Sequence, residues 1–353
     1  MQTALATNAA PAPTFKWLRS PGFDLGFIFG CASIGLLAGA ITATWPALFV
    51  TVLVLDMWLL GYHHVGATFT RTAFDAESLK ANRFFVIWLP FIVLATTVTI
   101  ALVFGAWTLA TVYFYWQWLH YTRQSYGVAR IYRRRAGDDM ARVDWSENAV
   151  IYVVPLWGIL SRSSQAPETF LNLPIRTLAV PPEIVEIAAI AAIVVVAVWA
   201  WRQVVAWREG RMAGAYVLYM LSHIVVFATG YVLIDDVNYG WLTINVWHNA
   251  QYIVLVWMAN VNRFKAPEAK RDGFMAWLSR EERWPTYFLV CFGISSAFYA
   301  VMQGTLTALG LTALTVTLIA YQTLNFHHYV VDSFIWKVRK PKLQAHFGIA
   351  RQG

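Results

Sequence analysis

Long apolar stretches alternate with short polar segments along the whole chain. A helix that crosses a bilayer about 30 Å thick needs about 20 mainly apolar residues, and on this criterion we predict about ten membrane-spanning helices. Their approximate bounds are 24–44, 47–70, 84–104, 106–130, 148–160, 184–201, 213–234, 241–260, 287–302 and 305–336. The pattern therefore predicts an all-α, polytopic membrane helix bundle.

Three of these spans also carry polar side chains at the spacing of a single helix face. The stripe in the last span consists of Tyr321, Asn325, His328 and Asp332. The fourth span repeats it with Tyr113, Gln117, His120 and Gln124, and the eighth repeats most of it with Asn245, His248 and Tyr252. Ionisable groups at membrane depth are costly, so we predict that the stripes face one another and form one polar site.

The segments between the spans predict the domain organisation and the topology. Residues 1–22 are predicted to be a disordered cytoplasmic tail without a signal peptide, 23–337 the transmembrane domain, and 338–353 a basic cytoplasmic tail. Basic residues lie mainly in the tails and in the loops after even-numbered spans, so the positive-inside rule places both termini in the cytoplasm. A bacterial inner membrane is the expected location. The polar loop 161–182 is long enough to cover an entrance, and residues 273–278 are amphipathic enough to lie on the membrane surface.

Composition supports the membrane assignment and excludes several functions. Hydrophobic residues make up 58% of the chain and charged residues only 13%, against about 25% charged in soluble domains. The net charge of +8 lies in short loops, so it predicts orientation and not nucleic-acid binding. There is no Gly-rich phosphate loop and no Gly-x-Ser-x-Gly elbow. Only Cys31 and Cys291 are present, which excludes a disulfide framework and a cysteine-based metal cluster.

The histidines are the strongest indication of chemistry, because seven of the eight fall in predicted spans. Neutral imidazole is the commonest protein metal ligand, and a buried carboxylate is tolerable beside a cation. The candidate ligands are His63, His64, His120, His223, His248, His327, His328, Asp56 and Asp332. Such a thiolate-free set suits one or two non-haem irons, and less specifically copper or zinc. Neighbours on a helix point about 100° apart, so one member of each adjacent pair is expected to bind; His328 is favoured over His327 because it lies on a stripe.

Other polar residues of these spans are candidates for supporting roles. The amides predicted to orient the imidazoles are Gln117, Gln124, Asn245, Gln251 and Asn325. Tyr113 and Tyr321 are candidate catalytic, redox-active groups. Ordinary hydrogen bonding between helices is the alternative for all of these side chains.

The spacing of the histidines also bears on resemblance to known families. The His-x3-His and His-x2-His-His boxes of membrane fatty-acid desaturases and hydroxylases are absent, because His120 is followed four residues later by Gln124 and His328 by Asp332. Single histidines distributed over many helices resemble the Brp/Blh-type carotene dioxygenases of bacteria and archaea. In that family membrane-embedded histidines hold iron, and oxygen cleaves a polyene. The resemblance implies membrane non-haem iron chemistry.

The sequence therefore favours an iron-dependent membrane oxygenase, oxidase or hydroxylase that acts on a lipophilic small molecule with O2. An external electron donor and membrane lipids are further expected partners. Two alternatives stay open. One is a b-type haem protein that transfers electrons, and the other is a transporter in which histidines line a path for a proton, metal ion or solute.

Overall fold

The computed structural model describes residues 15–138, 144–265, 273–311 and 313–350. Helices dominate these residues and confirm the all-α class. In chain order, α1 to α13 are Pro21–Thr44, Pro46–Thr72, Ala76–Ala81, Phe84–Phe104, Ala106–Arg135, Trp145–Ser164, Pro182–Arg208, Gly214–Leu233, Val237–Lys265, Phe274–Leu278, Glu281–Ala308, Leu314–Ile335 and Pro341–His346. Short π-helical segments lie within α1 and α2, at the start of α4 and at the end of α8.

Six of the ten long helices of the described residues are apolar enough to cross a membrane, namely α1, α2, α4, α7, α8 and α11. The chain is therefore membrane-embedded. The other four long helices are α5, α6, α9 and α12, and three of them carry the polar stripes. Polar side chains lower the mean hydropathy of these helices, and they are tolerated where they face the interior of the bundle.

Helix α9 is the centre of the bundle. Every residue from Gly240 to Ile253 is buried. Helix α1 packs closely along it, because a Cβ at Gly35 would lie 2.5 Å from the carbonyl oxygen of Thr243 and one at Gly39 would overlap the Thr243 side chain. Cys31, Gly35 and Gly39 form a ridge of small residues along α1. Small residues at this four-residue spacing allow two helices to pack closely.

The boundary between the last two predicted spans is wrong. The last span was predicted to start at Thr305, after Gly304, but α11 continues to Ala308 and α12 begins only at Leu314. Gly304 is an ordinary helical position. Gly310 follows the end of α11, and its φ of 69° is the left-handed conformation that glycine adopts after helix C-termini.

Two peripheral segments cover the ends of the bundle. The loop after α6 forms a small hairpin of strands β1 (Thr169–Phe170) and β2 (Leu173–Pro174), and Phe170 packs against aromatic rings of α5 and α9. At the basic end, the short helix α13 packs against α9, with Leu343 and Phe347 buried. The predicted surface segment near residue 275 is the short helix α10; residues 1–14 of the predicted N-terminal tail lie outside the described residues.

Candidate metal centre

Four histidines from four different helices form one cluster inside the bundle. His64 comes from α2, His120 from α5, His248 from α9 and His328 from α12. The ring centroid of His64 lies 4.7 Å from that of His248 and 4.4 Å from that of His328. The ring of His120 lies 4.9 Å from His248 and 5.0 Å from His328. All four side chains are buried, and we call them the histidine cluster.

The nitrogen atoms of the cluster are close enough to share a cation. One donor atom each from His64, His120 and His248 lie within 4.8 Å of one another, and the same holds for His120, His328 and Asp332. Within the described residues His64 Nδ1, His120 Nε2 and both ring nitrogens of His248 have no hydrogen-bonding partner. A buried polar atom without a partner costs about 1–3 kcal/mol. A metal ion would satisfy several of these atoms together.

A chain of hydrogen bonds holds His328 in place. His328 Nδ1 lies 2.8 Å from Thr68 Oγ1, which lies 2.8 Å from the hydroxyl of Tyr252. The Tyr252 hydroxyl donates to Asp332 Oδ1 over 2.7 Å and accepts from the indole of Trp336. The directions agree when His328 Nδ1 carries the proton and donates to Thr68. His328 Nε2 is then unprotonated, 2.6 Å from His64 Nε2, and available as a ligand.

A second polar network adjoins His248 and His64. The carboxylate of Asp56 accepts a hydrogen bond from the amide of Asn245 over 2.5 Å. The Asn245 oxygen accepts from Tyr121, which also contacts Gln117. Asp56 is therefore bound by amides and belongs to neither of the two donor groups that could hold a cation. The ring of Tyr121 lies 4.3 Å from that of His248, so this network helps to position the ring of that histidine.

A small cavity of about 20 Å³ separates this network from the cluster. Its lining includes His64, His248, Asn245, Asn249, Tyr113, Tyr121 and Tyr321. A cavity of this size holds about one water molecule, and a water needs two to four polar partners. The two predicted catalytic tyrosines thus share this cavity with the two asparagines and with His64 and His248.

Three predicted ligands lie outside the cluster. The ring of His63 packs edge-to-face with that of Phe288, with centroids 5.9 Å apart. Because neighbours on a helix point about 100° apart, His63 is directed away from the site that His64 joins. His327 bonds through Nε2 to a main-chain carbonyl of α4 over 2.7 Å. His223 Nδ1 lies 2.8 Å from Ser125 Oγ. None of these three belongs to a donor group that could hold a cation among the described residues.

The remaining predicted supporting residues have different surroundings. The amide of Gln124 donates to the main chain of α9 over 3.2 Å. Asn325 donates to the carbonyl of Tyr321, and Tyr321 in turn contacts Tyr113. Gln251 is fully buried, and its amide has no hydrogen-bonding partner within the described residues. Gln251 is therefore not linked to the cluster by a hydrogen bond.

The structure adds three residues that the sequence reading did not select. Thr68 bonds to His328, Trp336 bonds to Tyr252, and the ring of Tyr329 stacks on that of His120 at 4.3 Å. Thr68 could have been found from its spacing, because it lies one helix turn after His64 on the same face. The partners of Tyr329 and Trp336 lie on other helices, so no local spacing indicates them.

A large pocket of about 740 Å³ opens beside the cluster toward the C-terminal ends of α5 and α12. His120, Tyr252 and Asp332 form part of its wall at the cluster end. Apolar and aromatic side chains of the wall include Trp116, Leu119, Ile131, Leu255, Tyr329, Trp336 and Phe347. A small molecule in this pocket would therefore reach two residues that could hold a cation.

Known proteins give no independent guide to this site. No family model, no curated protein and no solved structure matches the chain. The similarity of its histidine placement to that of carotene dioxygenases therefore stays a prediction. Function has to be inferred from the side chains of the cluster and from the pocket that adjoins it.

Proposed function

We propose that the chain is a membrane-embedded metalloenzyme that oxidises a lipophilic molecule with O2. His64, His120, His248 and His328 would hold the metal, and Asp332 would add a carboxylate. The observation that carries this proposal is the convergence of four buried imidazoles from four helices, three of which, His64, His120 and His248, keep ring nitrogens without a hydrogen-bonding partner. Among the described residues, no group of metal-ligating side chains converges outside this cluster and Asp332.

The donor set supports iron as the metal. Imidazole and carboxylate without thiolate suit non-haem iron, with copper and zinc as less specific alternatives. Both cysteines are buried elsewhere, and neither belongs to a donor group. Bound iron would supply the O2 chemistry. The protein would orient the imidazoles through Thr68 and Tyr121 and keep bulk water out with the aromatic walls.

The packing of the rings favours a bare ion over haem b. A haem held by two histidines would have to insert its macrocycle between the rings. Four ring pairs of the cluster instead pack at 4.4–5.0 Å, and the rings of His64 and His120 lie 6.3 Å apart. This spacing accommodates an ion among several nitrogens but no planar macrocycle.

The pocket supports a lipophilic substrate. It borders His120 and Asp332 at one end, and much of its lining is apolar or aromatic. Ligand sites have this character, with few polar groups that fix orientation. A transporter remains the second candidate, because two cavities adjoin different members of the cluster. The proposal also includes ten spans with both termini in the cytoplasm of a bacterium. It further includes an external electron donor.

Metal analysis of paired variants tests the proposal. His64→Ala and His328→Ala should each lose most of the iron found in the purified wild-type protein. Their sequence neighbours provide matched controls, because His63→Ala and His327→Gln change residues outside the cluster on the same helices. The controls should keep wild-type iron content.

Two results would contradict the proposal. Full iron content in the His64 and His328 variants would show that the cluster is not the binding site. Wild-type protein purified without chelators and free of any metal would exclude a metalloenzyme and favour the transporter. An optical spectrum of the same samples would reveal haem by its Soret band.

A further inference from the structure

The large pocket has an uneven charge distribution that oxidation of a lipophilic molecule alone does not use. Four of its described lining residues are basic, namely Arg123, Arg130, Lys337 and Arg339, and only one, Asp332, is acidic. We propose that the pocket binds an amphiphile with an acidic headgroup, a carboxylate or a phosphate. The headgroup would bind among the basic residues, and the apolar chain would extend past His120.

The positions of the basic residues define two ends of the pocket. All four lie on the side of His120 that leads to the C-terminal ends of α5 and α12. The opposite end is aromatic and aliphatic, with Trp116 and Leu119 on α5. Lys337 and Arg339 follow Ile335, the last residue of α12, and so lie at the C-terminal end of the pocket. Arg123 lies about one helix turn beyond His120 on α5.

Three of the four basic side chains at this end lack an acidic partner among the described residues. No acidic side chain of the described residues forms an ion pair with Arg123, Lys337 or Arg339. Arg130 is different, because it also interacts with Glu147 on the neighbouring helix. The proposal therefore rests on the other three cations.

The nearby aromatic groups do not replace a counter-ion. Lys337 lies over the ring of Phe334 at 4.8 Å, and Arg123 contacts the hydroxyl of Tyr152. Neither contact supplies a negative charge. Cations at the edge of the low-dielectric membrane interior attract an anion more strongly than they would in water. An acidic headgroup would supply the missing charge, and its chain would cover the apolar wall.

This inference deepens the proposed function, because it names the substrate class for the same pocket. Headgroup binding uses the basic residues and not the metal. A chain held by its headgroup would present a fixed segment of carbons to His120 and Asp332, so position along the chain would determine which carbon reacts.

Binding of radiolabelled oleate to the full-length protein in phosphatidylcholine nanodiscs tests the proposal. The test variant is Arg123→Gln/Lys337→Gln/Arg339→Gln. The control variant Lys80→Gln/Arg208→Gln/Lys340→Gln removes the same charge from exposed residues that do not line the pocket. Oleate should bind the test variant about tenfold or more weakly and the control variant as it binds wild type. Oleyl alcohol should bind all three proteins equally, and more weakly than oleate binds wild type.

Competition distinguishes the two sources of the acidic group. If dioleoylphosphatidylglycerol displaces oleate and the test variant loses this effect, the natural ligand is an acidic phospholipid. If it does not displace oleate, the ligand is a free fatty acid. Equal affinity of wild type for oleate and oleyl alcohol would overturn the proposal, as would unchanged oleate binding in the test variant or no binding at all.

The same samples separate this proposal from the metal proposal. Oleate should still bind His328→Ala protein, because that variant keeps all the basic residues. Oleate binding by wild-type protein that contains no metal after purification without chelators would leave the pocket proposal standing and reject the metalloenzyme. Iron in a protein that does not distinguish oleate from the alcohol would do the reverse.

Discussion

At the scale of single residues, adjacent histidines on a helix have different surroundings because successive side chains point about 100° apart. His64 and His328 join the cluster, whereas His63 and His327 contact Phe288 and the α4 main chain. The polar stripe favoured His328 over His327. No stripe was predicted in the second span, so the sequence left the choice between His63 and His64 open. Both lie near Asp56 in helical projection.

Thr68 is the residue whose small change should reveal the most about the cluster. Thr68→Val keeps the shape of the side chain but removes the hydroxyl bonded to His328 Nδ1 and to Tyr252. Loss of such an orienting partner typically weakens metal binding about 10–100-fold, and we expect that range here. Metal retention against a graded chelator series measures it.

Thr68→Ser and Thr70→Val are the controls for this prediction. Serine keeps the hydroxyl, so retention should return to near the wild-type value. Thr70 bonds to Tyr287 and Asn260, away from the cluster, so its change should not affect the metal. Equal metal loss in Thr68→Val and Thr70→Val would indicate a general packing defect instead.

At the scale of elements, the close approach of α1 and α9 holds the central helix in position. Cys31, Gly35 and Gly39 are small residues four apart in the sequence, which is the spacing of one helix face. Only the structure shows that its partner is α9 at Thr243 and Trp247. Helix partners are set by packing across the bundle, and a single helix sequence carries no information on its neighbour.

Gly35→Val should destabilise the protein, because the added Cβ would meet a main-chain oxygen that cannot rotate away. Overpacking of a buried site typically costs about 1–3 kcal/mol. Gly30→Val is the matched control on α1, since a Cβ there meets nothing within 4 Å. Thermal unfolding in detergent should show a lower Tm for the Gly35 variant alone; equal Tm values would refute close packing of α1 on α9.

The docking of α13 should depend on pH. Burial, followed by the positive charges of Arg71, Arg263 and Lys342, lowers the pKa of His346 to about 3. His346 accepts a hydrogen bond from Arg71 in its neutral form. When the helix is undocked, His346 has the ordinary pKa of about 6.5 and binds more protons than in the docked state. Docking is therefore fully stable above about pH 6.5 and weakens as the pH falls below it.

Hydrogen exchange measures this weakening. At about pH 5.5 the peptide 341–350 should open about tenfold more often than at neutral pH, after correction for intrinsic rates. His346→Gln should abolish most of the difference. Neighbouring carboxyls do not explain it: the hydrogen bond from Lys342 lowers the pKa of Glu77, and hydrogen bonds from Arg263 lower that of Asp75 despite its burial. The same pH dependence in the variant would exclude His346 as its origin.

At the scale of the whole molecule, apolar helices surround polar ones. Charge distribution in the loops predicts which end of this bundle faces the cytoplasm. A reporter fused after Gly353 should be active in the bacterial cytoplasm and inactive in the periplasm. Periplasmic activity would reverse the orientation and place the basic mouth of the pocket at the outer surface.

The sequence by itself determined the helical membrane class, the approximate positions of the long helices and the three polar stripes. These follow from local periods of hydrophobicity and from the cost of polar groups at membrane depth. Only the tertiary structure decided that His64 completes the cluster, that His223 stays outside it, and that a basic pocket adjoins it. Those features depend on side chains from helices far apart in sequence, and their contacts arise from packing and not from local spacing.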